Sequence, residues 1–282
     1  PIAAISDVES ALKEETSFLT EELDSWIYGI LDDGWSRGSR RVQAEGEKGL
    51  STFLHERFTG LGASLPLVLQ ALDEFRNQWG DLDTPWMWSE EKMRSLAYHI
   101  RRQLFPIHIS ANKADLAKGA PWNSIESNGI IQPTMADMEL ALRRADSAGM
   151  ITYNPGDDTF LIKDESKLNS AQLNALAGMK DKLSEAMGTG VAELLSKVLF
   201  DALDHVVVYP VADETGWKDG EGRVLPDAFV VPNNIEAKQL AYKVHSDLGD
   251  GFIKAVDGRS RRVVGADHEC SDSDVIKIHA KS

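Results

Sequence analysis

Between Phe105 and Gly149 the chain runs twice from a short extended stretch into a helix, and this alternation constrains the fold more than any other feature. Phe105-Pro-Ile-His-Ile-Ser-Ala111 is a β-branched, apolar run that ends in Asn112-Lys-Ala-Asp115. Leu116-Ala-Lys-Gly119 and Pro121-Trp122-Asn123 read as a short helix and turn, and Ile130-Ile-Gln-Pro-Thr134 as a second brief strand ending in Met135-Ala136-Asp137. A helix follows with Met138, Leu140, Ala141, Leu142 and Ala145 inside, Arg143 and Arg144 outside, and Gly149 as its stop. Strand, loop, helix, strand, loop, helix is the order of a doubly wound α/β sheet, whose ligands sit at the C-terminal ends of the strands. Both loops fall on that edge.

The first loop has the form N-K-x-D. A carboxylate at Asp115 can accept hydrogen bonds from the N1 imino and N2 amino groups of guanine. Adenine has no amino group at C2 and an acceptor at N1, so it would leave polar groups unpaired. The Lys113 stem can lie along base and ribose, and the Asn112 amide can tie the loop to neighbouring backbone. The tetrapeptide is weak by itself and gains weight from its place at a strand end.

The 282 residues have room for two or three domains, and a hydrophobic content of 42% suits a cored globular protein. A formal charge of -15 argues against a generally basic nucleic-acid surface. Acidic excess also serves solubility, notably in salt-adapted proteins. One cysteine, Cys270, excludes an internal disulfide framework and fits a reducing cytoplasm. No apolar run approaches the length of a membrane span. Because the chain begins at Pro1, a fragment or a processed N-terminus is expected.

The N-terminal third reads as helical. Ser6 with Glu9 forms a capping box for a helix over 6–31, in which Leu12, Leu19, Leu23, Trp26, Ile27 and Ile30 recur at helical spacing. Gly34 and Gly38 are expected to break it before a second helix from Val42 to Leu61. Helices over Pro66–Trp79 and Ser89–Leu104 complete the set, the last with Ser89 as N-cap. Trp79, Trp86 and Trp88, around Asp81 and Asp83, either pack a helix junction or offer a stacking surface. Arg40-Arg41 and Arg101-Arg102 read as solvated helix faces.

Beyond Gly149 come a small hairpin over 150–163 and helical sequence from Leu173 to Leu203, split at Gly188-Thr-Gly190. No G-x-x-x-x-G-K-[ST] occurs in the chain. The final block predicts a hairpin from Val206–Val211 and Val224–Val231, a helix over 236–248 stopped by Gly249, and strands at 252–256, 261–264 and 274–278. That order makes a small β-grasp-like domain.

Val208-Tyr-Pro-Val211, Val224-Leu-Pro-Asp-Ala228, Leu240-Ala-Tyr-Lys-Val-His-Ser-Asp-Leu-Gly249, Phe252-Ile-Lys-Ala255 and Asp274-Val-Ile-Lys-Ile278 resemble the TGS domain of the YchF-type Obg-like GTPases, particularly their archaeal branch. Glu21-Glu-Leu-Asp-Ser-Trp-Ile-Tyr-Gly-Ile30 and Gly60-Leu-Gly62 look like that family's helical insertion. Asn112-Lys-Ala-Asp115 aligns with the fourth GTPase motif, Thr134-Met-Ala136 with the fifth, and Gly188-Thr-Gly-Val191 with a segment ahead of the TGS domain.

The resemblance implies an α+β multidomain chain. Its parts would be a helical insertion (1–104), the C-terminal portion of a P-loop NTPase α/β G domain (105–157), a helical connector (158–203) and a β-grasp TGS domain (204–282). It implies a nucleotide site of Asn112, Lys113, Asp115, Thr134, Met135 and Ala136, with GTP or GDP as ligand. The fifth motif would act mainly through backbone N–H groups toward guanine O6, so Met135, where the family commonly has serine, would perturb that contact without abolishing it. Many members prefer ATP and depart from N-K-x-D, so Asp115 argues for guanine here. The phosphate loop, the Mg²⁺-binding switch threonine and the D-x-x-G motif would precede Pro1, leaving this chain alone inactive in hydrolysis. Asn233-Asn234 replaces a turn that often holds glycine, and asparagine tolerates positive φ.

A second reading is a nucleotide-independent ribosome or RNA adaptor using Lys254, Arg259, Arg261 and Arg262, with Lys238 and Lys243 nearby in sequence. A third is a hydrolase built on His268, Glu269, Cys270 or Asp272, set against the plainer reading of a polar turn. His205 and His245 lack a partner at ligand spacing, so no structural zinc is expected.

Overall fold

Apolar residues at helical spacing build a four-helix antiparallel bundle at the start of the chain. In the computed structural model, residues 8–80, 82, 84–116, 129–225 and 227–281 are described; Ser6, Asp81, Asp83 and the helix and turn expected over 117–123 lie outside them. Helix α1 spans Val8–Glu45, α2 Glu47–Phe58, α3 Leu65–Trp79 and α4 Glu90–Leu104. Ile27, Leu31, Leu50, Leu54, Phe58, Leu72, Phe75, Leu96 and Ile100 are buried in their shared core. Ser64 and Ser89 cap α3 and α4 by accepting from the N–H groups of Leu67 and Lys92.

The bundle departs from the sequence reading at two glycines. Gly34 and Gly38 do not end a helix; α1 continues through both to Glu45, and the chain reverses at Gly46, where φ is 63°. A Cβ on Gly38 would lie 2.6 Å from the Phe53 ring, so this glycine lets α2 approach α1. Its role is close packing rather than chain breaking. Arg57 on α2 donates to the Ile30 carbonyl at 2.8 Å and pairs with Asp33 at 2.6 Å along the same seam.

Arg101 also corrects the reading. It is 2% exposed, and its Nε donates to Asp24 Oδ1 at 2.7 Å across the α1–α4 interface. The arginine side chain spans the apolar seam with its stem and finds its countercharge on the neighbouring helix. Arg40 is exposed, and Arg41 pairs with Glu56 at 2.7 Å on the surface. Trp79 and Trp88 pack inside the junction, Trp88 at 5.5 Å from Trp35 and 5.2 Å from Phe75, and Trp79 donates to Ser95 Oγ. Trp86 is 44% exposed.

After the bundle, β1 (Ile109–Ala111) pairs in parallel with β2 (Ile131–Pro133), with Ser110 opposite Gln132. Helix α5 (Ala136–Ser147) starts at the end of β2, and Gly149 leaves it with φ 73°. The small hairpin appears as β3 (Ile151–Thr152) with β4 (Leu161–Ile162). Helix α6 (Ser170–Ala186) follows, with a capping box between Asn169 and Gln172. Met135, Met138, Leu142, Ile151, Tyr153, Phe160, Leu176 and Leu183 form the second core. The next helix is shorter than expected: α7 (Val191–Ser196) gives way to a π-helical turn over Lys197–Ala202.

Residues Pro1–Leu194 and Leu195–Ser282 form two compact units. In the second, β5 (His205–Val211), β6 (Phe229–Pro232), β7 (Phe252–Asp257), β8 (Arg262–Val264) and β9 (Asp274–Ala280) make a mixed sheet in the order β6-β5-β9-β7-β8. β5 and β9 are parallel and the other pairs antiparallel. Leu240 of α8 (Ala237–Val244) is buried against Val206, Val208, Val231 and Ile276, the packing of a β-grasp. β6 begins later than the predicted Val224, because Asp213, Lys218 and Val224 are held in isolated bridges within a looped excursion. The helix expected over 236–248 breaks at His245, and a short helix α9 (Ser246–Asp250) follows. Gly249 lies inside α9, where a Cβ would sit 2.2 Å from the Tyr242 ring. The Asn233-Asn234 turn forms as expected, with Asn234 at φ 62°. No helix among the described residues is long and apolar enough to cross a membrane.

Candidate nucleotide-base site

The parallel register of β1 and β2 carries both sequence-predicted loops to one edge of the pair. There Asn112 Oδ1 accepts from the Ala136 N–H at 3.0 Å, so the asparagine amide ties the first loop to the second. The Ala114 N–H donates to the Thr134 carbonyl at 3.0 Å, and the Thr134 N–H to the Ala111 carbonyl at 2.9 Å. Beneath them Ser110 and Thr134 share a hydroxyl hydrogen bond of 2.7 Å, with Thr134 1% exposed. Lys113 holds φ at 61°, which turns the loop sharply between Asn112 and Asp115. Asn112, Lys113, Asp115, Thr134, Met135 and Ala136 are thus neighbours in space.

Asp115 lines a cleft of about 390 Å³ together with Asp137, Met138, Asn174, Gly178, Met179 and Lys182. Its Oδ2 accepts from Lys182 Nζ of α6 at 2.9 Å. The helix that closes this cleft reads from sequence only as an amphipathic segment, and Lys182 carries no local signal that would mark it.

A buried network that sequence reasoning missed holds the second loop from behind. Met135 is 4% exposed, and its N–H donates to the Thr189 carbonyl at 2.8 Å. Thr189 Oγ1 donates to Glu139 Oε2 at 2.5 Å, Tyr153 Oη donates to the same oxygen at 2.8 Å, and Arg143 reaches Oε1 at 2.6 Å. Burial raises the Glu139 carboxyl, but the hydrogen bonds from Thr189, Arg143 and Tyr153 outweigh it and hold the group below its usual range. Burial and that carboxylate push the Tyr153 hydroxyl up to about 12. Gly190, at φ 75°, has room for no side chain, since its Cβ would fall 2.0 Å from the Pro133 carbonyl oxygen. Gly188-Thr-Gly190 is therefore a clamp on the loop at 133–136. The cue available in sequence was two glycines around one threonine, which does not say what they press against.

The other candidates separate. Arg259 and Arg261 lie in the turn between β7 and β8 and Arg262 opens β8 opposite Asp257, whereas Lys254 lies back along β7 opposite His279. Arg259 is engaged internally, donating to the Ser273 carbonyl at 2.9 Å with its guanidinium 5.4 Å from the Trp217 ring centre. Cys270 is 1% exposed, and burial together with Asp274 pushes its thiol up to about 12, the opposite of an activated nucleophile. Asp272 accepts from the Val207 N–H at 2.9 Å, a turn-to-strand contact. Among the described residues no group of three or more His, Cys, Asp or Glu is placed to hold a metal ion.

Residues 110–213 match the Obg-like GTPase YGR210-like, G4 motif-containing domain, and residues 222–280 match the TGS domain. The chain is 40% identical over 274 residues to an uncharacterized GTP-binding protein of Methanocaldococcus jannaschii, covering 94% of this chain and 66% of that one. It is 33% identical to the crystal structure of a GTP-binding protein from Pyrococcus horikoshii OT3, with a TM-score of 0.64 over 98% of this chain and 73% of that one. The chain belongs to the Obg-like GTPases. As a member of that family it carries the G4-motif domain and the TGS domain, and it spans 66% of the length of the curated relative. The G4-motif match begins at Ser110, so it takes in both loops and the Gly188-Thr-Gly190 clamp.

Proposed function

We propose that this chain is the C-terminal portion of a GTP-binding, translation-associated protein of the cytoplasm, and that its two clamped loops read the guanine base. Asp115 accepts from N1 and N2 of the base, Lys113 lies along the base and ribose, and Asn112 with Thr134, Met135 and Ala136 fixes the loop geometry. The observation that carries the reading is the Asn112–Ala136 hydrogen bond, which joins the two loops at the strand ends beside the Asp115 cleft. Hydrolysis needs a phosphate loop and a Mg²⁺ site, and the 282 residues contain no G-x-x-x-x-G-K-[ST], so the chain alone does not hydrolyse GTP.

Titration of the full chain with GDP and ADP, followed by ligand-observed NMR, tests this. GDP should bind weakly but about tenfold better than ADP, the worth of roughly one well-placed hydrogen bond to a charged group. Equal affinities would sink the base-reading assignment, and submicromolar GDP binding would contradict the location of the phosphate site outside this chain.

A second reading rests on the exposure of Lys254, Arg261 and Arg262 in an otherwise acidic chain: association with the ribosome or rRNA through the β7–β8 turn. Co-sedimentation with ribosomes should then fall with added salt and be lost on reversing Arg261 and Arg262 to glutamate. No sedimentation at low salt removes this reading.

A further inference from the structure

Glu139 sits behind the second loop on the first turn of α5, 5% exposed, and its own N–H donates to the Met135 carbonyl at 3.0 Å. Its carboxylate gathers Thr189 Oγ1 at 2.5 Å and Tyr153 Oη at 2.8 Å on one oxygen and Arg143 Nε at 2.6 Å on the other. Thr189, 1% exposed, has its side chain on Glu139 and its main chain on the loop, where its carbonyl accepts from the Met135 N–H at 2.8 Å. The Ala136 N–H, one residue on, donates to Asn112 Oδ1 at 3.0 Å. Asn112 stands in the same tight loop as Asp115, and the Ala114 N–H ties that loop a second time, to the Thr134 carbonyl at 3.0 Å. An unbroken run of short hydrogen bonds therefore leads from a buried carboxylate to the loop that carries Asp115.

We infer that Glu139 and Thr189 are a positioning pair for the base site. The carboxylate fixes the Thr189 side chain, the Thr189 carbonyl fixes the loop at 134–136, and that loop fixes Asn112 and with it the first loop. The inference rests on the guanine reading above and names what sets the selectivity of that site. A carboxylate discriminates between bases only while it is held within about 0.5 Å of its productive place, which demands support from residues behind the contact. The chemistry of the pair suits that task. Met138, Leu142, Phe160, Leu176 and Leu183 fill the surrounding core, and an apolar group at 139 would pack there as well. A buried ion saturated by donors adds little net stability over such a filling, but its hydrogen bonds are directional and hold one geometry. The same stretch of chain also reaches the first loop directly, through Lys182 on Asp115 at 2.9 Å, so residues 182–190 brace both loops.

The full chain and its variants Thr189→Val, Thr189→Ser and Glu139→Gln should be titrated with GDP and ADP, with urea unfolding and the amide resonance of Ala136 followed alongside. Phe160→Leu, a change elsewhere in the same core, is the stability control. Thr189→Val keeps the volume and removes the donor; it should cut the roughly tenfold preference for GDP over ADP to about twofold, with ADP affinity unchanged. The Ala136 amide proton should shift as its bond to Asn112 loosens, with or without nucleotide. Thr189→Ser returns the hydroxyl and should restore both the preference and the resonance. Glu139→Gln keeps the side-chain shape, acts in the same direction, and tests the pair even where Thr189→Val fails to fold. Its double variant with Thr189→Val should be no worse than the worse single, because both break one contact. Phe160→Leu should lower the unfolding midpoint and keep the preference. A lower midpoint with unchanged preference in Thr189→Val and Glu139→Gln, equal loss of GDP and ADP, or a preference lost in Phe160→Leu as well would make the pair core packing only and overturn the inference. If Asp115→Asn removes the preference while the pair's variants do not, the inference fails and the guanine reading stands. If Asp115→Asn leaves the preference in place, the guanine reading falls and the inference with it.

Discussion

Replacing Asp24 with alanine should destabilise the helical bundle by about 3 kcal/mol, the lower end of the cost of stranding a buried charge. Arg101 is 2% exposed and has its Nε on Asp24 Oδ1, so loss of the carboxylate leaves a buried guanidinium without that countercharge, with the Tyr98 ring centre 5.4 Å away. The lower end applies because the Asp24 side chain is 23% exposed and water can reach part of the site. The double change Asp24→Leu with Arg101→Met should recover most of the loss, since it removes both charges and keeps the stems packed. Urea unfolding followed by tryptophan fluorescence checks both, because Trp26, Trp35, Trp79 and Trp88 report on this bundle. A surface pair would give less than 1 kcal/mol in the single variant and no recovery in the double.

The same arginine shows where sequence reading stops. Helical spacing located the apolar stripes of α1 to α4, and the serine caps marked the starts of α3 and α4. Spacing along one helix does not say which face meets a partner, so Arg101 and Gly38 were legible only as a charge and a chain breaker. Both take their roles from residues far away in sequence, Asp24 for the arginine and Phe53 for the glycine. The short strands and the loops at their ends were legible because a β-branched, apolar run and the N-K-x-D pattern are local. Val224 illustrates the converse, since its strand-like neighbourhood is drawn into a loop by pairing with Lys218.

At the candidate site, Asn112 and Asp115 could be named in advance because N-K-x-D is compact in sequence, whereas the loop at 134–136 was placed by the strand–helix alternation and its residues only by the family resemblance. The groups that hold or face them could not. Thr189 lies 50 residues from the Glu139 it contacts, and Lys182 lies 67 from Asp115. Each belongs to a segment whose local pattern is ordinary helix or turn. Only the packing of α6 and of the Gly188-Thr-Gly190 segment against the strand ends brings them to the loops.

In the proposed site the carboxylate of Asp115 reads the N1–H and N2–H edge of guanine. Asparagine at this position keeps one acceptor but presents an amide donor, which opposes the guanine N2 amino group and complements the O2 carbonyl of xanthine. Titration of the Asp115→Asn chain with GDP and xanthosine diphosphate is the most direct measurement. GDP affinity should fall by about ten- to a hundredfold and xanthosine diphosphate should become the better ligand. An unchanged preference for GDP in that variant would show that Asp115 does not read the base.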